Sequence, residues 1–280
     1  MKFDLDSGQI HLWCSFFAEI TDEALLREYQ RLLTEVERQK ERRFYFVRDQ
    51  RRYLVTRALV RTTLSRYAAV APEEWIFATN RYGKPEIAND QSLAGRLSFN
   101  ITHTDGLIII GIAPGQSLGV DVENVRKRQA SIEVADRFFA PDEAEVLNAL
   151  PKERQQQRFF EYWTLKESYI KARGMGLSIP LDKFSFQFPR EHEIRISIHP
   201  DQEDQPSRWR FWELSPTPDY LAAVCAERAR VEAPHLMLKK VVPLISEQEL
   251  DYELLRASEE LHADYLKSVQ KKPPCNRHID

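Results

Sequence analysis

Two acidic residues on one short stretch are the first candidates for chemistry in this sequence. In LGVDVENV, residues 118–125, Asp121 and Glu123 alternate with Val120 and Val122, which is the period of a β-strand and places both carboxylates on one face. Neighbouring like charges repel one another unless water or a cation screens them. A shared divalent cation such as Mg²⁺, which prefers oxygen ligands, would explain the pair. A solvent-facing edge strand would explain a lone Asp-x-Glu equally well.

A second group of candidates lies on a predicted helix, FFEYWTLKESYIKARGMGL, residues 159–177. Trp163, Glu167 and Lys171 follow one another at intervals of four residues, so they form one stripe of that helix. The aromatic and aliphatic residues around them predict a largely buried helix, whose charged side chains need a metal, a phosphate or each other as partners. A simple surface ion pair between Glu167 and Lys171 is the alternative.

Two turns carry further polar candidates. In LSFNITHTDG, residues 97–106, His103 ends an apolar strand beside Thr102, where it either contacts a phosphate oxygen or serves as an ordinary hydrogen-bonded histidine. In NRYGKPEI, residues 80–87, exposed amides and two basic side chains suit a nucleotide, although turn chemistry alone explains the glycine and the proline. The candidates in this turn are Arg81, Gly83, Lys84 and Pro85.

The composition indicates a globular protein of 280 residues with a net charge of −3. Residues 35–66 nevertheless contain ten Lys or Arg and four acids, which favours a bound anion or an acidic partner over a merely solvated helix face. No run is apolar enough to cross a bilayer, and MKFDLD does not resemble a secretory signal. We therefore expect a cytoplasmic protein in which Cys14, Cys225 and Cys275 are reduced thiols.

The elements that must position these residues follow from hydrophobic periodicity. The patterns predict helices over 21–33, 35–67 and 159–172, and a further helix beginning at Pro141. Glycines of RGMGL are expected to end the helix over 159–172. The strands are expected at residues 10–17, 96–100, 107–113, 118–122, 184–188, 194–198, 208–214 and 220–226.

Two segments repeat one design and predict a duplicated fold. RLSFNITHTDGLIIIGIA, residues 96–113, and WRFWELSPTPDYLAAVCA, residues 209–226, are each a strand, a polar turn and a buried strand. We predict an α+β protein of two pseudo-two-fold-related α/β halves, each a small antiparallel sheet packed on helices, with the active site in the groove between them. The expected divisions are 1–117, 118–232 and a helical C-terminal extension, 233–280, with an amphipathic stripe over 246–269 and a disordered end.

Four motifs in a fixed order carry a resemblance to a known family. GKP (83–85), FNITH (99–103), GVDVE (119–123) and WTLKESYIKARGMGL (163–177) stand in the order found in 4′-phosphopantetheinyl transferases. The chain resembles the larger, monomeric Sfp-type class over roughly residues 10–228. The resemblance implies transfer of the 4′-phosphopantetheine arm of coenzyme A to a serine of an apo acyl or peptidyl carrier protein, with release of adenosine 3′,5′-bisphosphate. It implies Mg²⁺, with Mn²⁺ as a substitute, and no nucleic-acid or membrane partner.

The resemblance also assigns roles to residues by motif position. Asp121, Glu123 and Glu167 would hold Mg²⁺ against the pyrophosphate, and Asp121, Glu167 and Lys171 form the catalytic set. Glu167 would accept the serine proton directly or through a water, and Lys171 would balance charge on the leaving bisphosphate. The expected coenzyme A contacts are Lys40 and Arg52 at the 3′-phosphate, Arg81, Gly83, Lys84 and Pro85 at the adenosine, and Thr102, His103 and Lys171 at the other phosphates.

Two other functions remain compatible with the same residues. A metal-dependent phosphohydrolase of a coenzyme A-like pyrophosphate would use the same carboxylates, but it would release phosphopantetheine to water without a carrier. A non-catalytic protein that binds coenzyme A or a carrier would have no need of three carboxylates and Lys171 together.

Overall fold

The computed structural model describes residues 5, 8–89, 96–228 and 234–258. The first half of the chain runs through β1 (Gln9–Ser15), α1 (Glu23–Arg31), α2 (Glu35–Arg42), α3 (Val47–Leu64), β2 (Phe77–Thr79), β3 (Pro85–Ile87), β4 (Ser98–His103) and β5 (Ile108–Ala113). The second half repeats that order with β6 (Leu118–Asn124), α4 (Ile132–Phe138), α5 (Pro141–Ala149), α6 (Lys152–Arg173), β7 (Phe184–Gln187), β8 (Glu193–Ile198), β9 (Trp209–Thr217) and β10 (Tyr220–Glu227). Three strands follow, β11 (His235–Val242), β12 (Ser246–Glu249) and β13 (Glu253–Ser258).

Strand order confirms the predicted duplicated α+β fold. The first sheet has the order β12-β11-β1-β5-β4, and the second has β6-β10-β9-β13-β8-β7. Within them, β1-β5-β4 and β6-β10-β9 are equivalent antiparallel trios, each containing one of the hairpins that the repeated sequence design predicted. The long helix of each half, α3 or α6, packs on the strands of its own half.

Within the described residues, three apolar cores hold these layers together. One lies between α3 and the first sheet, and another lies between α6 and the second sheet. The third core joins the two halves, where Leu12 and Ile109 pack with Val120, Val122 and Val224. Because this inner core buries the valine face of β6, the opposite face of β6 is the one that carries Asp121 and Glu123.

Close packing explains the glycine that opens the GVDVE motif. β6 lies directly against α6, and a Cβ built at Gly119 would stand 1.9 Å from the Ser168 carbonyl oxygen. Only glycine allows the strand to approach the helix that closely. At the other end of the same contact, α6 finishes at Gly174 with a φ of 67°, which confirms the predicted glycine end of this helix.

The helix predicted over residues 35–67 is two helices. α2 begins with a capping box between Thr34 and Glu37 and ends at Arg42, and α3 starts at Val47 after an extended Phe46. The break places the Phe44 ring 5.4 Å from the Tyr53 ring. The unbroken helical propensity of the sequence did not reveal this tertiary contact.

The amphipathic helix predicted over 246–269 is wrong for residues 246–258, which form β12 and β13. β11 adds to β1 in the first sheet, whereas β13 enters the second sheet between β9 and β8. Arg256 of β13 donates to the buried carboxylates of Glu213 and Glu161. The C-terminal segment therefore adds strands to both halves, and the predicted disordered end lies outside the described residues.

Candidate active site

The site is built along the seam where β4 of the first half meets β6 of the second. Side chains of β4, and of Thr104 directly after it, form hydrogen bonds with the backbone of β6. These bonds take the place of the backbone-to-backbone hydrogen bonds that would join two strands of one sheet. The Asn100 Oδ1 atom accepts from Val120 N at 2.8 Å, and Thr104 Oγ1 accepts from Asn124 N at 3.1 Å. The FNITH motif therefore fixes the position of the GVDVE strand, and this explains the polar residues in an otherwise apolar hairpin.

Asp121 is held at the centre of this seam. Its Oδ1 atom accepts hydrogen bonds from Lys171 Nζ at 2.6 Å and from Thr102 Oγ1 at 3.1 Å. Its Oδ2 atom is buried and has no hydrogen-bond partner among the described residues. A buried carboxylate oxygen without a partner is costly, so this atom is available to a cation or a donor that enters the groove.

Glu123 lies one step further along the same face and is equally buried. Its Oε1 atom accepts from Arg128 Nη1, and its Oε2 atom accepts from Thr104 Oγ1 at 3.3 Å. Burial raises the pKa of the Glu123 carboxyl, and the charge of Asp121 raises it further, whereas the hydrogen bond from Arg128 opposes this rise.

Glu167 of α6 completes the acidic group. Burial raises the pKa of its carboxyl, and the charges of Asp121 and Glu123 act in the same direction. Lys171 and Arg128 oppose that shift, which places both cations near this carboxylate. A raised pKa makes Glu167 a better proton acceptor near neutral pH than an ordinary glutamate.

Lys171 binds across the seam rather than along its own helix. Its ammonium donates to Asp121 Oδ1, to Thr102 Oγ1 at 3.2 Å and to the Val120 carbonyl at 3.2 Å. Among the described residues, Lys171 therefore forms its ion pair with Asp121. A simple surface pair along the helix would instead have joined Lys171 to Glu167, four residues before it. The structure brings together Thr102, Asp121, Glu123, Glu167 and Lys171 where α6 lies against the seam between β4 and β6.

The three acidic residues do not form a ready-made metal site. Among the described residues, no group of three or more His, Cys, Asp or Glu side chains is arranged to hold a metal ion. In addition, Lys171 and Arg128 each pair with one oxygen of Asp121 and Glu123, respectively. The side chains nevertheless suit a hard divalent cation, which prefers oxygen ligands. The group offers three carboxylates, and the buried Oδ2 atom of Asp121 has no hydrogen-bond partner among the described residues.

His103 lies at the surface of the groove beside the basic helix α3. Although its side chain is exposed, contact with protein desolvates the ring and lowers its pKa, and the charges of Arg52 and then Lys171 lower it further. The imidazole is therefore neutral near pH 7. Arg52 itself pairs with Asp49 at 3.1 Å, while Lys40 of α2 lies 5.6 Å from the Tyr53 ring centre.

The turn between β2 and β3 reaches from the first half to the end of α6. Asn80 Oδ1 accepts from the amide nitrogens of Tyr82 and Lys84, and Gly83 has a φ of 88°. The Lys84 ammonium donates to the carbonyls of Lys171 at 2.7 Å and Leu118 at 3.1 Å. The ammonium is therefore occupied by protein. Of the nucleotide contacts predicted in this turn, the stem of Lys84, the backbone, Pro85 and the exposed Arg81 stay accessible to a ligand.

Two contacts of the candidate site were not predicted from the sequence. Arg128 was not singled out, although its position five residues after Glu123 in the basic run VRKR was a usable signal. The contact of Lys84 with the end of α6 joins residues 87 positions apart and left no local signal.

Most of the basic side chains over residues 35–66 have partners within the protein. Six of them form ion pairs: Arg38, Arg48, Arg52, Arg57, Arg61 and Arg66.

Comparison with protein families gives matches over both halves. The family described as the 4′-phosphopantetheinyl transferase superfamily matches residues 117–225, and the one described as 4′-phosphopantetheinyl transferase, N-terminal, matches residues 21–114. The seam between β4 and β6 thus joins the two matched segments. The strands β11–β13 lie beyond both matches.

Individual relatives agree with the family matches. The 4′-phosphopantetheinyl transferase HetI of Nostoc sp. is 32% identical over 222 residues, which is 78% of this chain and 87% of that protein. The 4′-phosphopantetheinyl transferase Sfp of Bacillus subtilis is 36% identical over 189 residues, covering 68% and 80% respectively. The crystal structure of Thermotoga maritima holo-[acyl-carrier-protein] synthase covers 54% of this chain and 90% of its own, with a TM-score of 0.33 and 16% identity.

Over the described ranges, each helix is too short or too polar to cross a bilayer.

Proposed function

Because this chain belongs to the 4′-phosphopantetheinyl transferase superfamily, in its Sfp-type class, we propose that it moves the phosphopantetheine arm of coenzyme A to a serine of an apo acyl or peptidyl carrier protein. In the proposed reaction the serine oxygen attacks the β-phosphorus of coenzyme A. The bond from that phosphorus to the bridging oxygen breaks, and adenosine 3′,5′-bisphosphate leaves. The observation that carries the proposal is the convergence of three carboxylates and Lys171 on one seam between the two matched halves.

The carboxylates are proposed to hold one divalent cation. Asp121, Glu123 and Glu167 would be its ligands, and Mg²⁺, or Mn²⁺ in its place, is the expected ion. When bound, such a cation neutralises the diphosphate charge and polarises its phosphoryl oxygens. The buried, partnerless Oδ2 atom of Asp121 supports this assignment.

The remaining groups of the groove bind, orient and transfer a proton. Glu167 would accept the proton of the serine hydroxyl, directly or through a water, since burial and its acidic neighbours raise its pKa. Lys171 keeps Asp121 in place and supplies positive charge where the leaving bisphosphate becomes more negative. His103, neutral near pH 7, and Thr102 would donate hydrogen bonds to phosphate oxygens.

The nucleotide is proposed to extend toward the first half. The charge of Arg52 lowers the pKa of His103, which supports a position of Arg52 on the side of the site where the nucleotide is proposed to lie. Arg52 and Lys40 are the proposed ligands of the 3′-phosphate, and a guanidinium suits a phosphate because its planar fork donates two hydrogen bonds. Arg81, Gly83, the Lys84 stem and Pro85 are proposed to pack on the adenosine. We also propose that the protein acts as a cytoplasmic monomer without nucleic-acid or membrane partners.

Intact-protein mass spectrometry tests the reaction. Several apo carrier proteins would be incubated separately with this protein, coenzyme A and Mg²⁺, each beside an EDTA control. We expect a metal-dependent gain of one phosphopantetheine on at least one carrier. Release of phosphopantetheine to water without a carrier would instead indicate a phosphohydrolase, and bound coenzyme A with no reaction on any carrier would favour a binding protein.

A further inference from the structure

The acidic group of the groove is countered by two cations that belong to the chain itself. Lys171 pairs with Asp121, and Arg128 pairs with Glu123. Both cations also act on the half-buried carboxylate of Glu167. Three carboxylates thus face two positive charges of the chain, and a divalent cation that enters must compete with both of them.

The two internal cations differ in how firmly they are held. The Lys171 ammonium has three acceptors on two strands, including the backbone carbonyl of Val120. The described side-chain contacts of Arg128 are the Glu123 carboxylate and the face of Trp163, whose ring centre is 6.0 Å from the guanidinium carbon. The Arg128 side chain is 54% exposed, whereas that of Glu123 is 5% exposed. Arg128 can therefore leave by rotating into solvent, but Glu123 cannot.

Arg128 also lies where an incoming anion would meet it. It follows β6 in the segment 125–131, where its charge acts on both Glu123 and Glu167. A diphosphate is a better partner for a guanidinium than one carboxylate oxygen, because it offers several charged oxygens for a forked pair of hydrogen bonds.

We propose that Arg128 is an exchangeable counter-ion, which occupies Glu123 until the diphosphate of coenzyme A draws it away and thereby frees that carboxylate for the divalent cation. This inference rests on the proposed function, since it takes the metal ligands and the substrate from it. Its consequence is that the cation and coenzyme A bind cooperatively. By linkage, each tightens the binding of the other by the same factor.

The exchange gives the site a defined order of assembly. Without coenzyme A, the Arg128 charge weakens cation binding at Glu123. With coenzyme A bound, the same charge lies on the diphosphate and favours the complete complex. Arg128 is thus a positioning residue, and its removal should strengthen the binding of the cation alone while weakening its coupling to coenzyme A.

Mn²⁺ binding measured by electron paramagnetic resonance, with no carrier present, tests the proposal without any turnover. Mn²⁺ would be titrated into wild-type protein, Arg128→Ala and Arg128→Gln, each with and without coenzyme A. The matched control is Arg126→Ala. Arg126 is 68% exposed and pairs with Asp219, outside the acidic group, so this variant removes the same charge without touching Glu123.

We expect Arg128→Ala and Arg128→Gln to bind Mn²⁺ about tenfold tighter than wild type in the absence of coenzyme A, which is the order expected for loss of one charge-assisted hydrogen bond. The tightening of Mn²⁺ binding by coenzyme A should fall by a similar factor in both variants, whereas Arg126→Ala should match wild type. Unchanged or weaker Mn²⁺ binding by both Arg128 variants would overturn the inference and leave the metal assignment intact. Absence of Mn²⁺ binding by wild type, with or without coenzyme A, would overturn the metal assignment and the inference together.

Discussion

Lys84 allows the sharpest test of what the structure adds to the sequence. By motif it belongs to the nucleotide site, but its ammonium donates to the carbonyls of Lys171, Leu118 and Ala172 at 2.7, 3.1 and 3.4 Å. These contacts tie the first half to the C-terminal end of α6, where a positive charge is also favourable. Lys84→Met keeps most of the stem and removes the charge. Because a hydrogen bond from a charged donor contributes about 1.5–3 kcal/mol, we expect the free energy of unfolding to fall by about 2–3 kcal/mol.

The assay combines urea unfolding with steady-state kinetics. Arg81→Met is the matched control, because Arg81 lies in the same turn and is exposed. We expect this control to change the free energy of unfolding by less than about 0.5 kcal/mol. Lys84→Met should lower stability and kcat more than it raises the KM for coenzyme A, since it loosens the helix that carries Glu167. A fully stable Lys84→Met with a tenfold higher KM for coenzyme A would refute this reasoning and return the ammonium to the nucleotide.

Three further predictions concern other parts of the molecule. Arg52→Ala should raise the KM for coenzyme A about tenfold or more, as loss of a charged phosphate contact implies. The KM for dephospho-coenzyme A, which lacks the 3′-phosphate, should stay unchanged. An equal rise in KM for both substrates would show that Arg52 does not bind the 3′-phosphate. Burial lowers the pKa of His11 to about 4 from 6.5, and Lys239 contributes. The stability due to neutral His11 is thus present above pH 6.5 and lost as the pH falls toward 4. Between pH 7 and pH 5, the free energy of unfolding measured in urea should fall by about 2 kcal/mol more for wild type than for His11→Gln. The same dependence of this free energy on pH in both proteins would contradict the prediction. Arg256→Met should lower the free energy of unfolding by about 3–5 kcal/mol, because it leaves buried carboxylates without their guanidinium partner. A decrease below about 1 kcal/mol in urea unfolding would show that backbone pairing, and not Arg256, stabilises β13.

The parts of the fold that were predictable are those with local signals. Alternating apolar residues marked the hairpins over 96–113 and 209–226, and their likeness revealed the duplication. α6 was recognisable from its buried stripe and the glycine that ends it, although it starts seven residues before the predicted position, at Lys152. In that first part of the helix, polar residues such as Gln155 and Gln156 gave no apolar periodicity to detect.

The C-terminal segment shows where local pattern fails. Leu250 and Leu254 are four residues apart, which fits a helix. However, β13 is stabilised by pairing with β9 and β8, which lie far away in sequence. Strand pairing of this kind leaves no trace in the periodicity of a single short segment.

The candidate site was predictable in its residues but not in its contacts. Residue type and spacing made Asp121, Glu123 and Glu167 the candidate carboxylates, and the end of an apolar strand made His103 a further candidate. Which cation faces which carboxylate depends on the packing of two halves, so the pairing of Arg128 with Glu123 required the structure. The same holds for Lys171, whose spacing from Glu167 suggested the wrong partner.

The most direct test of the account is the stoichiometry of transfer by wild type and Asp121→Asn. Each protein would be incubated with coenzyme A, Mg²⁺ and an apo carrier that wild type accepts, and carrier mass and adenosine 3′,5′-bisphosphate would be followed together. The account predicts one phosphopantetheine gained for each bisphosphate released by wild type, and a rate at least about a hundredfold lower for a folded Asp121→Asn, in line with the loss of one charge-stabilising group. Bisphosphate released without a gain in carrier mass, or a near-normal rate for Asp121→Asn, would contradict it.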